Sequence, residues 1–152
     1  MDKNYWDEYY KLHGGDKEIS DPSSFAKFIL TNFFSERKFN IVELGSGNGR
    51  DAIFFAYNGH NVIAIDQSTK VINIQKQNLD NKFATNLHSK AQDFVKEDYS
   101  RYEKIDAFYS RFTIHSISKS DEFELLPKIY DNLERKGLFC VEVRTINDPL
   151  YG

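Results

Sequence analysis

The chain has 152 residues, the size of one domain, and its 40% hydrophobic and 15% aromatic content is enough to bury a core. Lys and Arg total 20 against 23 Asp and Glu, a net charge of −3, which argues against a dedicated nucleic-acid binder. One cysteine, Cys140, excludes an internal disulfide, His13, His60, His88 and His115 give no zinc spacing, and no apolar run approaches the ~20 residues that cross a bilayer.

The start, MDKNYWDEYY, is charged from its second residue, unlike a signal peptide. A cytoplasmic single domain over 1–152, without metal, nucleic acid or membrane, is therefore expected. After this aromatic lead, Asp21-Pro22 reads as a helix start, with Asp as N-cap and Pro in the first helical position. Phe25, Phe28, Ile29 and Phe33 follow at helical spacing, with the phenylalanines expected in the core. Asn40 to Leu44 is a short apolar strand, Gly45 to Gly49 a glycine-rich turn, and Arg50 to Asn58 a helix closed by Gly59. Asn61 to Ile65 is a second strand, and Thr69 to Leu79 a helix with Val71, Ile74 and Asn78 on one side. Leu87 to Ala91 is assigned as a strand mainly because the alternation requires one there. Ile105 to Tyr109 is a clearer strand. Ser120 to Arg135 has helical spacing at Phe123, Leu126, Ile129 or Tyr130, and Leu133, with Pro127 expected to kink it or to begin a second helix. Gly137 opens the last strand, Leu138 to Val143.

Strands and helices alternate from about residue 22 onward. That pattern predicts an α/β domain, a doubly wound and mainly parallel sheet with helices on both faces. Ligands of such sheets sit beyond the carboxyl ends of the strands, so the residues just after each strand carry the functional question.

Val42-Glu43-Leu44-Gly45-Ser46-Gly47-Asn48-Gly49-Arg50-Asp51 joins the first strand to its helix. Its glycines let the backbone turn sharply and approach a ligand; a plain tight turn is the alternative. A dinucleotide fingerprint would carry a third glycine where Arg50 stands, and the Walker pattern lacks its Gly-Lys-Ser/Thr. Glu43 and Asp51 bracket the loop and would repel a pyrophosphate but suit a cationic ligand. Asp66 ends the second strand, where a carboxylate accepts hydrogen bonds from both ribose hydroxyls; a solvated turn residue is the alternative. A cationic, ribose-containing cofactor without a pyrophosphate fits both features, and S-adenosylmethionine (SAM) is such a molecule.

VELGSGNGRD followed by VIAIDQS resembles motifs I and II of the class I SAM-dependent methyltransferases, and the similarity covers nearly the whole chain. The resemblance implies a Rossmann-like sheet of order 3-2-1-4-5, with SAM as cofactor and S-adenosylhomocysteine as product. It implies that Gly45, Ser46, Gly47, Asn48 and Gly49 lie along the methionine part, with Glu43 supporting the loop. Asp66 would hold the ribose and Gln67 lie beside the adenine. Asp93, followed by Phe94, matches the acidic residue that commonly meets the adenine amino group; an ordinary surface aspartate is the alternative.

Ser110-Arg111-Phe112-Thr113-Ile114-His115-Ser116 follows the fourth strand, and in the family this segment faces the substrate. His115 is the histidine positioned to take a proton from an acceptor hydroxyl, or else it braces the loop. Arg111 and Arg144 follow the fourth and fifth strands, and together they suit an anionic group of the substrate or the SAM carboxylate. Either arginine alone reads as an ion pair with Glu142, Asp148 or another neighbour. Similar Trp-Asp-x-x-Tyr starts occur in the tellurite-resistance and thiol-methyltransferase-like branch. There they form a lid over the cofactor, which would bring Tyr10 to it; packing outside the sheet is the alternative. The family's last two strands, an antiparallel hairpin, are missing after the fifth strand, so truncation is expected, or self-association through that exposed edge. SRFTIHSI with VEVRT also resembles methyltransferases encoded among bacterial surface-polysaccharide genes, so O-methylation of a small anionic sugar or phosphorylated precursor is the leading reading. A thiol- or tellurite-type detoxifying methyltransferase, a non-catalytic SAM-binding module and an NAD-dependent oxidoreductase stand as rivals.

Overall fold

A computed structural model of the chain describes residues 21–79 and 85–148, with Glu8 and Leu12. Tyr10 and the other aromatics of the lead segment lie outside them. Five strands form one parallel sheet: β1 (Asn40–Leu44), β2 (Asn61–Asp66), β3 (Leu87–Ala91), β4 (Ala107–Arg111) and β5 (Leu138–Glu142), in the order β3-β2-β1-β4-β5. Within residues 21–79 and 85–148, the α-helices are α1 (Ser24–Phe33), α2 (Arg50–Tyr57), α3 (Thr69–Asn78) and α4 (Lys119–Asn132). The expected doubly wound sheet is present, and β3, placed by alternation alone, is a strand. No helix among the described residues is long and apolar enough to cross a membrane.

Both sheet faces are covered, as a parallel sheet requires. Residues alternate along β1 and β4: Ile41, Ala107 and Tyr109 pack with Ala26, Ile29, Phe34, Ala52, Phe55 and Ala56, whereas Val42, Leu44 and Phe108 pack with Phe94, Tyr99, Leu125 and Ile129. Helix faces depart from the sequence expectation more than the strands do. In α1 the N-cap is Ser23, whose hydroxyl accepts from Ala26 N at 3.0 Å, so Asp21 and Pro22 precede the helix. Ala26 and Ile29 are its buried residues, Phe25 is half-buried, and Phe28 and Phe33 are exposed and pack edge to face on each other. A short helix covers the sheet with a narrow stripe, and alanine at 26 lets its backbone sit close. In α3 the buried face is Val71, Ile72 and Gln75, not Val71, Ile74 and Asn78. In α4 it is Leu125 and Ile129; Phe123, Leu126 and Tyr130 face outward. Pro127 neither breaks α4 nor starts a second helix, because it sits on the exposed side, where water can satisfy the carbonyl that loses its N–H partner. Strand β4 begins at Ala107 rather than Ile105, which makes Arg111 its last residue.

His60 ties the sheet's lower end together. It is 3% exposed, its Nδ1 accepts from Phe39 N at 3.2 Å, and Phe34, Phe39 and Phe55 surround the ring. Burial, reinforced by Lys38, lowers its pKa from the ordinary 6.5. Protonation would also convert the accepting Nδ1 into a donor. The unfolded chain then binds a proton that the folded one resists, so the stability contributed by neutral His60 is full above pH 6.5 and is lost as pH falls through the depressed value. In urea titrations, wild type should lose up to about 1.4 kcal/mol per pH unit relative to His60→Gln below pH 6.5. Parallel profiles for the two proteins would contradict this.

Candidate active site

The site is built at the carboxyl ends of β1, β2, β4 and β5. Between β1 and α2 the chain reverses through Gly45, Gly47 and Gly49, at φ of 70°, 54° and 81°. All three angles lie in the left-handed region that favours glycine. Space excludes side chains as well. A Cβ on Gly45 would run into the Thr113 side chain, 2.6 Å from its Oγ1, and one on Gly49 would lie 2.5 Å from Gln75 Cγ. Gly45 N and Ser46 N both donate to Ile65 O, at 2.9 and 3.0 Å, which holds the turn against the end of β2.

Asp66 is joined to that turn. Its Oδ2 accepts from Gly47 N at 3.0 Å and its Oδ1 from Ser68 N at 2.9 Å. A carboxylate oxygen can accept more than one hydrogen bond. Gln67, Asp93 and Phe94 come together, as expected, in the lining of a cavity of about 120 Å³, completed by Val95, Ile117 and Asp121. Gln67 Nε2 is a buried donor with no partner in the protein. Asp93 caps the following turn by accepting from Val95 N at 2.9 Å. Ile117 and Asp121 were not read from the sequence. Asp121 lies in the first turn of α4, where its N–H bonds the Ser118 N-cap, and the sequence Ser118-x-x-Asp121 was the available signal.

Glu43 lies at the root of the loop, 4% exposed, and its Oε2 has no hydrogen-bond partner. Burial holds its carboxyl well above the ordinary range; Asp51 and Asp66 add to this, and Arg50 and Arg111 oppose it. Asp51 itself is fully engaged. It accepts from Ser23 N, Ser23 Oγ and Tyr109 OH, all at 2.8 Å. This buried knot fastens the start of α1 to the start of α2 and to β4. Ser23 and Tyr109 were missed in the sequence, because a serine before a helix and a strand tyrosine carry no local sign that they converge on Asp51.

A second group gathers beyond β4 and β5. Phe112 takes φ 54°, a strained value for a bulky residue of the kind that persists where the surroundings impose it. Its ring carries the Arg111 guanidinium at 4.2 Å and that of Arg144 at 5.3 Å, and the His115 ring stands edge-on at 6.2 Å. The arginines therefore do share one mouth. Arg111 Nε also lies 2.5 Å from Glu142 Oε2, a charge contact without hydrogen-bond alignment, so the ion-pair alternative holds for it. His115 is exposed, and partial burial together with Arg144 lowers its pKa from 6.5, against the opposing charge of Asp148. Tyr10, expected beside the cofactor, is outside the described residues.

Residues 35–149 match the model of a family described as a methyltransferase domain. The chain belongs to that family. A carboxy-S-adenosyl-L-methionine synthase from Nautilia profundicola is 32% identical over 122 residues, which are 79% of this chain and 50% of that protein. The chain thus spans about half the length of this curated relative. Among solved structures, the glycopeptide N-methyltransferase MtfA, crystallised with SAM, superposes with a TM-score of 0.70 at 19% identity, over 80% of this chain and 54% of that one. A SAM-dependent methyltransferase from Clostridium acetobutylicum gives 0.68 at 17% identity, over 93% of this chain and 57% of that one. At such identities the structures establish the methyltransferase fold.

Proposed function

We propose that this methyltransferase domain binds SAM and passes its methyl group to a hydroxyl of a small anionic acceptor. The observation that carries the reading is the cradle at the strand ends. Two glycines whose Cβ positions are already filled by neighbours open the backbone, Asp66 presents a carboxylate beside it, and Gln67, whose buried Nε2 has no partner, lines the adjoining cavity. Gly45–Gly49 would take the methionine part, Asp66 the ribose, and Gln67, Asp93 and Phe94 the adenine. When bound, SAM supplies a sulfonium methyl carbon; the C–O bond forms as the C–S bond breaks, its electron pair stays on sulfur and S-adenosylhomocysteine is left.

The protein's part is alignment and proton handling. Arg144, with Arg111 behind it, offers positive charge to an acceptor carboxylate or phosphate. His115, kept neutral at physiological pH by its surroundings, takes the acceptor's hydroxyl proton. His115→Ala is therefore expected to leave S-adenosylhomocysteine affinity within twofold and to lower turnover about 100-fold. Unchanged turnover would instead make His115 a loop brace. A sugar or phosphorylated polysaccharide precursor fits the anionic requirement.

The similarity to a carboxy-SAM synthase favours a second reading, in which SAM itself is modified and the guanidinium pair holds a small carboxylic acid. Calorimetric titration of the full-length protein with S-adenosylhomocysteine, with NAD as control, tests the cofactor assignment. Mass spectrometry of the spent cofactor then separates the readings, because methyl transfer leaves S-adenosylhomocysteine whereas the alternative leaves a carboxylated SAM. Binding of NAD alone would overturn both.

A further inference from the structure

Gln75 is fully buried beneath the glycine loop, on the core face of α3. Its Nε2 donates to Ser46 Oγ at 2.7 Å and to Gly47 O at 2.6 Å. The orientation of the amide is fixed by chemistry: a carbonyl only accepts, so the atom facing Gly47 O must be the nitrogen. Oε1 is then left buried without a partner. An orphaned buried acceptor lowers stability; an unbranched apolar side chain would remove it but would strand Gly47 O and the Ser46 hydroxyl in its place. The amide is thus committed to the loop it holds, which takes both of its donors and leaves its acceptor unused.

The loop side supports this. The Gly47 peptide is gripped at both ends, its N–H by Asp66 Oδ2 and its C=O by Gln75 Nε2. The Gln75 stem also fills the space that a side chain at Gly49 would need. One side chain on α3 therefore fixes both the shape of the turn and, through Gly47, the direction in which the Asp66 carboxylate points. We infer that Gln75 is a positioning residue that holds the glycine loop and the Asp66 carboxylate in register for the cofactor. The inference rests on the assignment of that loop to SAM. Gln75 itself has no access to the ligand and acts through Gly47 and Ser46.

The test uses the full-length protein and the variant Gln75→Met, which keeps the length and packing of the side chain and removes both donors. S-adenosylhomocysteine affinity is expected to fall about tenfold or more, because two short hydrogen bonds that preorganise the loop are lost. Melting temperature is expected to fall by several degrees, because buried Gly47 O and the Ser46 hydroxyl lose their partner even as the orphaned acceptor goes, so affinities are compared at a temperature where both proteins are folded. Amide hydrogen exchange at Gly47 should accelerate in the absence of any ligand. A residue that merely fills the core would give the reverse: unchanged affinity and unchanged Gly47 exchange, and that result overturns the inference. Ser46→Ala gives a second arm, removing the buried hydroxyl that accepts from Gln75 Nε2. It should weaken binding in the wild-type background and add little in the Gln75→Met background, because the two side chains act through one hydrogen bond. Full additivity would contradict the positioning role. Failure of wild type to bind S-adenosylhomocysteine, with Gly47 exchange still sensitive to Gln75→Met, would overturn the cofactor assignment while leaving the loop clasp in place.

Discussion

Asp66→Ala is expected to raise the dissociation constant for S-adenosylhomocysteine by about 100-fold, the largest effect on binding of any single change at the site. Two hydrogen bonds from ribose hydroxyls to a carboxylate are each worth about 1.5 kcal/mol or more, and about 1.4 kcal/mol is a factor of ten. The same change removes the acceptor for Gly47 N and Ser68 N, so the glycine loop loses one of its ties to β2 as the ribose loses its partner, while Gly45 N and Ser46 N still hold Ile65 O. Asp66→Asn separates these contributions. Its one carbonyl oxygen can serve either the backbone or the ribose, so it should fall between wild type and Asp66→Ala. Calorimetric titration reads the affinity, and circular dichroism confirms that the sheet is retained. A change of less than threefold for Asp66→Ala would remove Asp66 from the cofactor site and leave it a turn residue.

What the sequence made legible follows from how local each signal is. The turn from β1 to α2 and the end of β2 were readable because glycine at positive φ and a carboxylate at a strand tip are local requirements, each met within ten residues. The strand order came with the family resemblance and agrees with the sheet observed. Helix faces were harder. In α4 the expected Ile129 is buried and Leu133 packs on the core, but Leu125 takes the place expected of Phe123 and Leu126, because a row containing Phe123 and Tyr130 is just as apolar in sequence as the one that meets the sheet. In α3 the search for apolar periodicity passed over Gln75. Its position four residues after Val71 was the signal that a polar group had been placed on the core face.

The Arg111–Glu142 ion pair stood among the sequence alternatives and is present, but the choice of Glu142 over Asp148 or another neighbour was not legible, for a different reason. Arg111 meets Glu142 because β4 and β5 run parallel with these two residues as register partners, so their side chains stand on one face. A shift of one residue would put them on opposite faces. Nothing within either strand specifies that register. The left-handed Phe112, whose ring meets both Arg111 and Arg144, is likewise imposed by the surroundings, with its N–H held by Glu142 O at 2.8 Å.

Glu43→Gln is expected to move stability and binding in opposite directions. In the protein without ligand, burial and the neighbouring Asp51 disfavour the Glu43 carboxylate, and its Oε2 has no partner. A carboxyl whose folded-state pKa lies above its unfolded value contributes stability that is full below the ordinary value of 4.5 and is lost as pH rises through the raised one. Glutamine carries no such dependence. The variant should therefore be the more stable protein above pH 4.5, with a gap that widens with pH and then levels off once wild-type Glu43 ionises in the folded state. Binding should respond the other way. A cationic cofactor group beside the loop favours the ionised carboxylate, so wild type should release a proton on binding and bind more tightly as pH rises. Glu43→Gln should lose that dependence and bind S-adenosylhomocysteine at least about tenfold more weakly, the cost of one hydrogen bond to a charged group. Titration calorimetry in two buffers of different ionisation enthalpy counts the protons directly. If the binding enthalpy is the same in both buffers and the glutamine variant binds like wild type, Glu43 acts only as a brace for the loop. If the stability gap is present as well, the buried carboxylate is a burden on the fold with no return in binding, and the cationic part of the cofactor must be held elsewhere in the site.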